Sequence, residues 1–168
     1  MRFALLLLAV GVACTPLAHA QDAAKALAKE AMTTKRLPPL SIEALCARLT
    51  QDEVTAVVGA HFQRKPEKDA QFRGCTYADS KEKGAMPVRY FRLVNSQLSE
   101  AGFRLTVEEV SKGKVISRDG VLVSHIRRNM FGTDTVWVRD GQGRALELSV
   151  NSGVSEDQAV ALTKAALN

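Results

Sequence analysis

The rhythm of apolar and polar positions changes several times along the chain. Phe3 to Ala13 is dominated by apolar residues behind one positive residue, Arg2, and small residues follow at Ala18 and Ala20. The run is short for a bilayer span. It has the layout of an export signal, so residues 1–20 are expected to be a signal peptide cleaved before Gln21. From residue 21 to 36 alanines alternate with lysines and other polar residues, and Leu37-Pro38-Pro39-Leu40 follows. Alanine favours helix, yet a stripe made mostly of alanine buries little apolar area. The two prolines enforce extended backbone. A frayed helical or flexible arm is therefore expected at 21–39, ahead of a single domain at 40–168.

Three later stretches place a hydroxyl residue three positions before Glu or Gln, with apolar residues on either side. They are Leu49-Thr50…Glu53-Val54, Leu105-Thr106…Glu109-Val110 and Val154-Ser155…Gln158-Ala159. Each reads as a capping box with a hydrophobic staple, and acidic residues in each first turn suit the helix dipole. Helices are expected from Thr50 to Val58 with Gly59 as terminator, from Thr106 toward Gly113, and from Ser155 to near Leu167. Ser41 marks a weaker start. The repeat of "LTQDEV" in "LTVEEV" is assigned to shared capping chemistry, because the flanks do not match. Residues 103–113 carry two signals: Phe103, Leu105 and Val107 alternate as a strand does, while the Thr106 box indicates helix.

Strand periodicity appears in two groups. "RGCTYAD" and "PVRYFRLV" form the first; "GVLVSHIRR", "TVWVRD" and "RALELSV" form the second. Leu146, Leu148 and Val150 alternate cleanly with polar or small neighbours. Asp140-Gly141 centres a hairpin signal between the last two strands. The class that results is α+β: an antiparallel β-meander with helices packed on one face.

Lys and Arg number 23 against 18 Asp and Glu, a net charge of +5 over 168 residues. The basic residues are spread along the chain, which points away from nucleic acid. Of the three cysteines, Cys14 leaves with the leader. Gly11-Val12-Ala13 lacks the leucine of a lipobox, so lipid anchoring at Cys14 is not expected. Cys46 and Cys75 remain, an even count that in an exported protein argues for one disulfide. A metal site built from these two with His61 and His125 fits no zinc spacing, and C-x-x-C is absent. A periplasmic or secreted location follows, with no transmembrane segment after cleavage.

Motifs for chemistry are sparse. There is no G-x-S-x-G elbow, and Ser80–Lys83 matches S-x-x-K without its partner motifs. Phosphate-binding glycine loops and H-E-x-x-H are missing. No cofactor is expected, and no catalytic residue is assigned. The sequence argues for a non-catalytic binding module, in one version an inhibitor or immunity-type protein acting on a protein or envelope component. Its expected surface is Arg127, Arg128, Met130 and Phe131 with Trp137 and Arg139, since arginine and aromatic residues concentrate binding energy. Trp137 has a core reading as well. Two alternatives stay open: a small-molecule-binding periplasmic domain, and a hydrolytic enzyme using His125 or His61.

The pattern C-x-x-L-T-x-x-E-V-x-x-x-x-G at Cys46–Gly59, followed by C-x-Y at Cys75–Tyr77, a meander and a C-terminal helix, resembles small exported domains of unknown function among bacterial envelope lipoproteins. The resemblance spans residues 40–168. It implies a compact α+β fold with the two cysteines bridged, and it carries over no catalytic residue. The missing lipobox is a departure that sets membrane anchoring aside.

Overall fold

Helix starts follow from local hydrogen-bonding chemistry in the computed structural model, which describes residues 16–35, 37–65, 74–81, 89–125, 134–139, 144–150 and 153–168. Helix α1 covers Pro16–Thr33. Helix α2 (Ile42–Cys46) begins at Ser41, whose Oγ accepts from the Ala44 N–H. Helix α3 (Gln51–Val58) has the full reciprocal box. Thr50 accepts from the Glu53 N–H, and the Glu53 carboxylate accepts from the Thr50 N–H at 2.7 Å. Gly59, at φ 95°, ends it in a backbone region open to glycine. Helix α5 (Glu156–Ala165) repeats the box with Ser155 and Gln158.

The third box does not form. Helix α4 (Glu100–Arg104) starts about two turns earlier, at Ser99, whose Oγ accepts from Gly102 N–H. It runs directly into a π-helical segment at Leu105–Val110. Thr106 therefore lies inside a helix, and its hydroxyl donates to Gly102 O at 2.8 Å. Residues 103–110 are helical throughout, and the alternation of Phe103, Leu105 and Val107 is not a strand.

Among the described residues seven strands form one antiparallel sheet: β1 (Phe62–Arg64), β2 (Gly74–Asp79), β3 (Tyr90–Asn95), β4 (Lys114–Arg118), β5 (Val121–His125), β6 (Asp134–Arg139) and β7 (Ala145–Val150). Their spatial order is β1-β2-β3-β7-β6-β5-β4. The second half is the expected meander followed by a helix. It joins the first half through β3 and β7, where Leu93 lies opposite Leu148. Strands β1 and β4 are additions to the expected set. Between β4 and β5, Asp119 and Gly120 have φ 51° and 83°, the left-handed pair of a two-residue hairpin.

Alternation along the strands builds two cores. Val121 and Val123, Val136 and Val138, and Leu146, Leu148 and Val150 join the larger one, under α2, α3 and α5. Leu122 and Trp137 point the other way and meet Phe103 and Val107. The helical layer expected on one face is the larger of two. Cys46 and Cys75 are disulfide-bonded inside the larger core, with Cα atoms 5.4 Å apart. The bond ties the end of α2 to β2, and nearby the Tyr77 hydroxyl donates to Leu49 O. Helix α1 packs on α4 and on the π-helical segment. No helix among the described residues is long and apolar enough to cross a membrane.

Candidate functional site

Residues 34–35 and 37–40 belong to a strap between α1 and α2. Pro38 and Pro39 have no N–H, so they cannot donate to the sheet. The strap is held instead by its carbonyls and by one amide. Asn95, at the end of β3, accepts from Leu40 N–H and donates to Leu40 O, each at 2.9 Å. Arg144 Nε donates to Pro38 O at 3.2 Å. The side-chain amide of Asn95 thus pairs with the strap as a neighbouring backbone would.

A cleft of about 340 Å³ opens between this strap, the Asn95–Ser99 turn and the start of β7. Leu37, Pro38 and Leu98 give it apolar walls, and Asn95, Ser96 and Gln97 give it polar ones. Lys35 and Arg144 bring positive charge, and among the described residues no Asp or Glu lines it. Trp137 closes the inner wall.

Trp137 is only 2% exposed. Its ring stacks on Phe103 at 5.9 Å, and its Nε1–H donates to Ser96 Oγ at 3.1 Å. Ser96 in turn donates to Glu147 Oε1 at 2.5 Å and accepts from Leu98 N–H. Glu147 faces Trp137 across the β6–β7 ladder. Burial pushes the Glu147 carboxyl above its ordinary range, and the Ser96 hydrogen bond opposes part of that rise. The indole is therefore a fixed wall, with its polar atom already engaged by protein.

The expected binding surface is not assembled around an exposed tryptophan, because Trp137 belongs to the second core. Arg127, Arg128, Met130 and Phe131 lie outside the described residues, and so does the side chain of Arg139 on β6. The two candidate histidines are separated. His61 follows α3 beside β1, its ring 4.8 Å from that of Phe62. His125 ends β5, with four strands between it and β1, a span of roughly 24 Å. His125 does reach a carboxylate: its Nε2 is 3.1 Å from Glu156 Oε2. The other Glu156 oxygen accepts from Arg118 at 2.8 Å, and Arg118 also bonds Asp157. This cluster ties the β4–β5 edge to the first turn of α5 and lines neither the strap cleft nor the smaller one beside α4. Among the described residues no group of three or more His, Cys, Asp and Glu is placed to hold a metal ion.

The cleft escapes a reading along the chain because its walls come from three distant segments. Pro38-Pro39 signals only a break, and nothing local marks Asn95 as the clamp. No protein-family model, no curated protein and no solved structure matches the chain, so the envelope-lipoprotein resemblance brings no site residue to the cleft.

Proposed function

We propose that the chain is an exported, non-catalytic binding module of the bacterial envelope, taking a small ligand or a chain end into the strap cleft. The observation that carries this reading is the pre-formed cleft. Asn95 and Arg144 hold the strap, and Trp137, Ser96 and Glu147 fix the opposite wall. A volume of about 340 Å³ falls at the small end of ligand pockets, roughly 300–1,000 Å³. The disulfide, and the absence among the described residues of a membrane-crossing helix, are compatible with a periplasmic or secreted location. The size of the cleft favours the small-molecule version over an inhibitor or immunity protein, which needs a broad interface.

Native mass spectrometry of protein purified from its own compartment tests this reading. Wild type should carry a bound mass that denaturation releases. Gln97→Phe, a change at an exposed rim position, should lose it while keeping the melting temperature. Protein without any bound mass, or equal loading of the variant, would sink the reading.

The His125–Glu156 contact supports a second reading, a hydrolase with His125 as base. It is the weaker one. His125 is 46% exposed, and Glu156 is already engaged by Arg118, so the pair lacks the water-excluding pocket that such chemistry uses. Turnover of a chromogenic ester abolished by His125→Ala would move the reading there.

A further inference from the structure

We infer that β4 is a pairing edge for a second copy of this chain, the two β4 strands running antiparallel about a two-fold axis at Ile116. Strand β4 stands last in the sheet order, with β5 on one side and, among the described residues, no strand on the other. The hairpin at Asp119-Gly120 brings Arg118 opposite Val121 and Ile116 opposite Val123. In a two-residue hairpin the residues flanking the turn exchange hydrogen bonds, and every second residue does so from there on. Lys114, Ile116 and Arg118 therefore direct their main-chain groups to β5. Val115 and Ser117 turn theirs away from the sheet, and none of these outward groups has a partner among the described residues. An open ladder edge of this kind is a template for another strand.

The side chains select the strand that fits. With the axis at Ile116, Val115 of one copy exchanges both main-chain hydrogen bonds with Ser117 of the other. The two Ile116 side chains, each 39% exposed in the single chain, then stand directly opposite in a non-hydrogen-bonded pair, the closer kind, and cover each other. Lys114 falls opposite Arg118 of the second copy. A lysine on an edge ordinarily deters pairing, and a bare arginine would repel it. Arg118, however, is bonded to Glu156 at 2.8 Å and to Asp157, so the spot holds two carboxylates against one guanidinium. His125 meets the other Glu156 oxygen at 3.1 Å, while the Asp157 side chain stays 76% exposed. Lys114 has no partner of its own among the described residues. In the pair it meets Asp157 of the second copy, and the symmetry repeats that contact at the other end of the strand.

Sedimentation equilibrium of the purified protein from about 1 µM to 1 mM covers the range in which a small edge contact registers. We expect a reversible monomer–dimer equilibrium. Ile116→Lys sets like charges face to face on the axis and should weaken it by on the order of 10-fold or more. Lys114→Glu and Asp157→Lys should each weaken it by on the order of 10-fold, since each turns both symmetric attractions into repulsions. All three positions are exposed, so melting temperatures should stay near that of wild type. An equimolar mixture of the Lys114→Glu and Asp157→Lys proteins should recover most of the loss, because every contact between unlike copies again joins opposite charges. Monomer at every concentration, including a monomer that takes up an extended segment of another protein at β4, overturns the inference. So does a dimer that all three variants leave unchanged, or a mixture no tighter than its two components.

Discussion

Glu147 is a carboxyl on a strand, half-covered by Trp137's surroundings and bonded to Ser96. Its folded pKa is raised above 4.5, first by burial, with the Ser96 bond pulling the other way. In the window between its unfolded and folded values, the folded chain holds a proton that the unfolded chain has released. Stability from this group is complete below the unfolded value and is lost as pH rises through the folded one. Glu147→Gln keeps the shape and an acceptor for Ser96. Urea midpoints should then fall less between pH 4 and pH 7 in the variant than in wild type; parallel profiles would refute this. Asn95→Ala should cost about 1–3 kcal/mol through two lost hydrogen bonds and speed amide exchange at Leu40, read by thermal unfolding and hydrogen exchange. At Gly74 a Cβ would lie 2.5 Å from Val94 and 2.6 Å from the Leu93 carbonyl. Gly74→Ala should therefore cost about 1–3 kcal/mol as overpacking. Residue-scale legibility follows distance along the chain. Ser41, Thr50 and Ser155 act on amides three positions away and announce themselves. Asn95 acts on a residue 55 positions upstream and leaves no local trace.

At the scale of elements, α1 shows how much a weak stripe can do with a partner. Ala24, Leu27, Ala28 and Ala31 are half-covered positions of residues 21–33, while Met32 is 85% exposed. The expected arm is a helix because α4 offers Gly102, where Ala31 comes close. A Cβ at Gly102 would find Ala31 and Leu98 at 3.6 Å, ordinary contact. Gly102→Ala should fit and add about 0.5–1 kcal/mol of helix stability. Gly102→Leu should push α1 off. Hydrogen exchange should then quicken across residues 21–33 while the sheet keeps its protection, and intact protection in α1 would refute the docking. The two unexpected strands have plain causes. Strand β1 has three residues, too few for a period, and β4 is largely exposed with lysine and arginine at its ends. Asp119-Gly120 did mark the β4–β5 hairpin, but alternation in β4 is too weak to use it. Thr106 misleads for the opposite reason: a good capping pattern sits about two turns inside a helix that Ser99 has already started.

For the whole molecule, the Cys46–Cys75 bond closes a loop 29 residues apart. In the chain-entropy view that is worth about 3–4 kcal/mol. The Cys46→Ala/Cys75→Ala double variant should lose stability of that order in urea titration, whereas an unchanged midpoint would show that the core alone fixes α2 on β2. The class and the C-terminal meander were readable from periodicity. The β3–β7 pairing was not, since no local signal tells a hairpin which distant strand it will meet. That seam also orders events during synthesis. The ribosome finishes β3 some fifty residues before β7. Through that interval Phe91 and Leu93 wait on a bare strand margin, a template for sticking to other nascent chains. A polypeptide halted at residue 125 should keep its cystine and still precipitate, because only the last strand of the meander can seal that margin.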